Sequence, residues 1–117
     1  MEPAVETILV VDDDRTNRML LSSILKKEGY RVIEAEDGQI AIAKGQETPV
    51  DLVLLDIMMP NMDGYEACRR MKEDPGTRDI PVIFLSAKVE TRDKIMGLES
   101  GGADYVTKPF DKGEVLA

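Results

Sequence analysis

The sequence predicts a three-layer α/β/α sandwich around a five-stranded parallel sheet. Three observations carry that prediction. Short apolar runs recur along the chain, each followed by a polar turn and then a helix-like segment. The strongest runs are continuous rather than alternating, which suits strands covered on both faces. Alternating β and α elements in turn imply right-handed crossovers and a doubly wound sheet.

The runs are Ile8-Leu9-Val10-Val11, Leu52-Val53-Leu54-Leu55 and Val82-Ile83-Phe84-Leu85, with shorter ones at Val32-Ile33 and Tyr105-Val106. The two short runs are more polar, and this predicts sheet edges. Between the runs lie helix signals. From Thr16 to Glu28 the pairs Leu20/Ile24 and Leu21/Leu25 recur at helical spacing, and Gly29 can supply a left-handed stop. Segments near Gly38–Gln46, Gly64–Glu73 and Thr91–Ser100 read the same way, the last ended by Gly101-Gly102. Tyr65, Cys68 and Met71 recur at spacing three, so they are expected to face the core. Asp111-Lys112-Gly113-Glu114 reads as a capping box opening a fifth helix, although only six residues follow Asp111. Under two turns is too short to stand alone, so residues 1–117 are expected to be one domain, a fragment cut inside its last helix.

Composition narrows the function. The 117 residues, 43% hydrophobic and 32% charged, are ordinary for one globular domain. No apolar run approaches the ~20 residues that span a bilayer. Met1-Glu2-Pro3-Ala4 lacks the basic start and apolar stretch of a signal peptide. Cys68 is the sole cysteine, so no internal disulfide can form, and a cytoplasmic location is expected. Fifteen Lys and Arg against 23 Asp and Glu give a net charge of −8, which disfavours direct nucleic-acid binding. There is no histidine, so imidazole acid–base chemistry and His-ligated zinc are excluded within these residues. Any phosphohistidine in the mechanism belongs to another protein.

In open α/β sheets the functional groups lie beyond the carboxyl ends of the strands. The first run leads into Asp12-Asp13-Asp14, the third into Asp56, the fourth into Ser86-Ala87 and the fifth into Lys108-Pro109. Each has a bland reading. Asp12–Asp14 suits a solvated loop, Asp14 a helix cap, Ser86 a turn and Lys108 the surface. Four strands delivering acid, acid, hydroxyl and lysine to one edge are harder to dismiss. Held close, Asp12, Asp13 and Asp56 repel one another, and a hard dication removes that repulsion. Oxygen donors without His or Cys point to Mg²⁺ or Mn²⁺. Asp56 is then a carboxylate nucleophile for phosphate, while Lys108 and the Ser86 hydroxyl hold the remaining phosphoryl oxygens.

On these residues the chain resembles the receiver domain of bacterial two-component response regulators. The matching stretches are the first run with Asp12-Asp13-Asp14, Leu54-Leu55-Asp56 through Asp63-Gly64, Leu85-Ser86-Ala87, and Gly102-Ala103-Asp104-Tyr105-Val106-Thr107-Lys108-Pro109-Phe110. They span nearly the whole chain, and together are far more specific than any one alone. The resemblance implies a flavodoxin-like sheet of order 2-1-3-4-5. It implies Asp56 as phosphoacceptor, Asp13 and the Met58 carbonyl as Mg²⁺ ligands, and Asp12 contacting the metal largely through water. Ser86 and Tyr105 would be the switch pair, Lys108 the phosphoryl anchor, and Lys108-Pro109 a cis peptide. The partners implied are a sensor histidine kinase or phosphotransfer protein and a downstream output domain. Phosphorylation would repack the surface of the fourth helix, fifth strand and fifth helix to control an output, and that surface would serve docking or homodimerisation. The only reactions catalysed would be the domain's own phosphorylation and dephosphorylation. Met58 and Lys88 would flank the hydrolytic water, and neither is a general base there.

Three rivals are weaker. A haloacid-dehalogenase-like phosphatase needs a second acid two residues after its nucleophile, where this chain has Met58. A flavin or nucleotide binder of the same topology presents a glycine- or hydroxyl-rich loop, whereas this loop is triply acidic. A degenerate, docking-only receiver is disfavoured by intact Asp56, Ser86 and Lys108.

Overall fold

The computed structural model describes residues 5–57, 59, 62–86 and 104–107, with only the backbone for Ser86 and 104–107. Among the described residues the elements run, in chain order, β1 Thr7–Val11, α1 Arg15–Lys27, β2 Arg31–Ala35, α2 Gly38–Glu47, β3 Leu52–Asp56, α3 Gly64–Glu73, β4 Val82–Ser86 and β5 Asp104–Thr107. The strands form one parallel sheet in the order β2-β1-β3-β4-β5. Its edges are β2 and β5, the two shorter, more polar runs of the sequence. The expected helix at Thr91–Ser100 and the capping box at Asp111 lie outside the described residues.

The two-residue period of a strand divides the core. Ile8 and Val10 of β1, Leu54 of β3 and Leu85 of β4 turn to one face, where they pack on Leu21 and Leu25 of α1. Leu9 and Val11, Val53 and Leu55, and Val82 and Phe84 turn to the other face. There they meet Ala41 of α2 and Ala67, Cys68 and Met71 of α3. Both faces of β1, β3 and β4 are thus covered, which is why their runs are continuous. Tyr65 crosses this second core to Phe84, with ring centroids 5.1 Å apart and planes tilted by 59°. Each fully buried aliphatic or aromatic side chain contributes about 1.5–3 kcal/mol. Of the two leucine rows in α1, Leu21 and Leu25 enter the core, whereas Leu20 stays 48% exposed.

Helix ends follow local chemistry. Asp14, Asp37 and Asp63 cap α1, α2 and α3 by accepting backbone N–H groups of the first turn. Gly29, at φ 97°, takes the left-handed conformation just after α1 that other residues resist. Lys26 and Lys27 lie in the last turn of α1, where the helix dipole favours cations. Among the described residues no helix is long and apolar enough to cross a membrane.

Candidate functional site

The sheet register builds the site. Val10 pairs with Leu54 and Val11 with Leu55, so one step further along the strands Asp12 comes level with Asp56. Both follow the parity of Val10 and Leu54, which turn to the α1 face. Asp12 and Asp56 are buried, at 1% and 5% exposure, while Asp13 is exposed. A carboxylate oxygen from each of the three residues lies within 4.8 Å of the others. Two buried acids and one exposed acid therefore converge at the carboxyl edge of the central strands.

The β1–α1 loop holds its end of the cluster through several hydrogen bonds. The Asp12 N–H donates to the Ala35 carbonyl at 3.2 Å, continuing the contact with β2 past the end of the ladder. Asp12 Oδ1 accepts the Asp14 N–H at 2.9 Å. The Asp12 carbonyl accepts from Arg18 Nη1 at 2.8 Å. Asp14 turns away from this work. Its Oδ1 accepts from Thr16 N–H at 2.8 Å and from Asn17 N–H at 3.3 Å, and so opens α1.

The β3–α3 segment fixes the other end. Ile57 N–H donates to the Leu85 carbonyl at 3.2 Å, and Gly64 N–H donates to the Ile57 carbonyl at 2.8 Å. The backbone thus folds back on itself just after Asp56. Met62, in the same segment, is buried. A Cβ placed on Gly38, at the start of α2, would stand 2.8 Å from its sulfur.

Ser86 ends β4, one residue past Leu85, the partner of Asp56. Tyr105 pairs with Phe84 in the middle of β5, and Ser86 with Thr107. Both backbones are thereby placed at or below the same carboxyl edge. Met58, Lys88, Lys108 and Pro109 lie outside the described residues. Tyr65, Cys68 and Met71 face the core as their spacing predicts. Arg18 was not among the residues singled out in the sequence. Its role depends on a contact with β2 that no local spacing reveals.

The oxygen-only donor set, two-thirds of it buried, fits a hard dication such as Mg²⁺. It does not fit a soft metal, which selects thiolate or imidazole. Residues 8–117 match the response regulator receiver domain family. The chain is 48% identical over 117 residues to the transcriptional regulatory protein ResD of Bacillus subtilis, covering 99% of this chain and 48% of that one. It therefore spans about half the length of that relative. The fold is similar to that of the Vibrio cholerae chemotaxis protein CheY4, with a TM-score of 0.93, 30% identity and coverage of 97% and 94% of the two chains. It is also similar to the receiver domain of the Pseudomonas aeruginosa sensor histidine kinase PA1611, solved with magnesium in its active-site cleft. There the TM-score is 0.88 and the identity 33%, covering 97% of this chain and 93% of that one.

Proposed function

This chain belongs to the response regulator receiver domain family, and on that premise we propose that Asp56 is its phosphoacceptor, working beside Mg²⁺ bound at Asp12, Asp13 and Asp56. The observation that carries the reading is the convergence of these three carboxylates within 4.8 Å at the end of the central strands. When bound, Mg²⁺ neutralises the gathered charge and lets an anionic phosphoryl group approach.

An Asp56 carboxylate oxygen forms the new bond to phosphorus. The bond from phosphorus to the imidazole nitrogen of a partner's phosphohistidine breaks, and that nitrogen keeps the electron pair. Asp13, exposed beside the buried Asp56, is the ligand most open to an arriving metal. By family resemblance the Met58 carbonyl completes the metal site, and Lys108 and Ser86 hold phosphoryl oxygens. Tyr105 then turns toward the space that Ser86 vacates. The response is a two-state repacking near β5 biased by one new charge, and it is read by an output domain or a second copy. Reaction is confined to phosphorylation and dephosphorylation of the domain itself.

The Met58 thioether is a poor hydrogen-bond partner and a protonated Lys88 side chain has no acceptor, so neither side chain orients or deprotonates a hydrolytic water and the phosphorylated state is long-lived. Faster phosphate loss from Met58→Asn or Lys88→Glu supports this point, and unchanged loss from both refutes it.

Incubation with acetyl phosphate tests the core of the reading. Wild type should take up phosphate only with Mg²⁺ present, and Asp56→Asn should take up none. Equal labelling of the two proteins would refute it.

A further inference from the structure

We infer that Arg18 is a positioning residue for the acidic cluster, clamping the peptide plane from which Asp13 projects. The inference rests on the reading that Asp12, Asp13 and Asp56 hold a dication. Arg18 lies one turn into α1, where its own N–H donates to the Asp14 carbonyl at 3.0 Å. Its side chain reaches back over the start of the helix. Nη1 donates to the Asp12 carbonyl at 2.8 Å, and Nε meets Glu34 Oε1 at 3.4 Å. Only 11% of the side chain is exposed, so the contacts are poorly screened by solvent.

The Asp12 carbonyl belongs to the peptide unit that joins Asp12 to Asp13. That unit is planar, so a bond to its oxygen also fixes the N–Cα direction at Asp13. Asp13 is the exposed member of the cluster and has the most freedom to lose. Its neighbour is meanwhile held from the other side by the hydrogen bond to Ala35. Glu34 is anchored in turn. It sits in β2 opposite Val10, and its carbonyl accepts from Lys44 Nζ of α2. A chain of contacts from α2 through β2 to Arg18 thus ends on the loop that carries the metal-facing acids. Groups of this kind behind metal ligands are typically worth about 10–100-fold in metal affinity. The planar fork of arginine serves two acceptors in different directions, which a lysine ammonium does less well.

Calorimetric Mg²⁺ titration of folded wild type, Arg18→Ala, Arg18→Lys and Glu34→Ala tests this, alongside thermal midpoints taken without Mg²⁺. Arg18→Ala should bind Mg²⁺ about 10-fold or more weakly, with smaller losses for Arg18→Lys and Glu34→Ala. A merely structural role lowers the metal-free midpoint and leaves affinity intact, and that result overturns the inference. Should Arg18→Ala not fold, unchanged affinity in both other variants overturns it equally. Absence of Mg²⁺ binding by wild type would instead remove the dication reading and this inference with it.

Discussion

Gly64 lies against the backbone of Asp56 so closely that a Cβ on it would stand 2.3 Å from the Asp56 carbonyl oxygen. The same atom would be 2.8 Å from Ile57 Cα. Neither neighbour is a flexible side chain, so the strand end itself must move. The glycine is required by contact, at the first residue of α3, and not by a left-handed dihedral. Gly64→Ala is therefore expected to destabilise the domain by about 1–3 kcal/mol, as overpacking does. In an unobstructed helix the same change would add stability. Gly38→Ala should be milder, because its closest neighbour is the flexible Met62 side chain. Urea denaturation of both variants measures the contrast, and a stabilised Gly64→Ala would contradict it.

Adjacent aspartates should respond in opposite ways. Asp14→Ala removes the cap of α1 and is expected to lose about 0.5–2 kcal/mol of stability, with Mg²⁺ affinity retained. Asp13→Ala should abolish Mg²⁺ binding while leaving the metal-free domain as stable or more so, since one repelling charge is gone. Calorimetry and thermal unfolding on the pair separate the two roles. Retained Mg²⁺ binding in Asp13→Ala would remove it from the ligand set.

A pH effect is expected far from the cluster. The Gln46 side-chain amide donates to the Asp74 carboxylate, joining the ends of α2 and α3, and the Gly76 N–H donates to it at 2.7 Å. These bonds, the one from Gln46 foremost, hold the Asp74 carboxyl below its ordinary value of 3.8. A carboxyl lowered on folding stabilises the native state above its unfolded value. That contribution is lost as pH falls through the lowered folded value. The stability gap between wild type and Gln46→Ala should thus be level near neutrality and narrow below pH 3.8. A gap that widens on acidification would contradict the assignment.

Much of this architecture was legible in the residues. Continuous runs gave the covered central strands, polar short runs gave the edges β2 and β5, and spacing three gave Tyr65, Cys68 and Met71 to the core. Asp12, Asp13 and Asp56 were legible as a group because apolar runs point them at one edge. What separates the three consecutive aspartates was less legible. Asp12 is buried by strand parity, Asp13 is left outside, and Asp14 is taken by the helix cap, as one bland reading had it. Leu20 is apolar at helical spacing yet exposed, because the α1 interface is one row of leucines wide at that point. Arg18 was invisible for a different reason. Its acceptors lie on a loop and on a neighbouring strand, and only the folded chain brings them together.

The central claim is that Asp56 carries the phosphoryl group, and mapping the modified residue tests it most directly. The protein is treated with acetyl phosphate and Mg²⁺, the acyl phosphate is reduced with borohydride, and the peptides are sequenced by mass spectrometry. The account predicts homoserine at position 56 and nowhere else. Homoserine at position 12 or 13, with Asp56 unmodified, would contradict it.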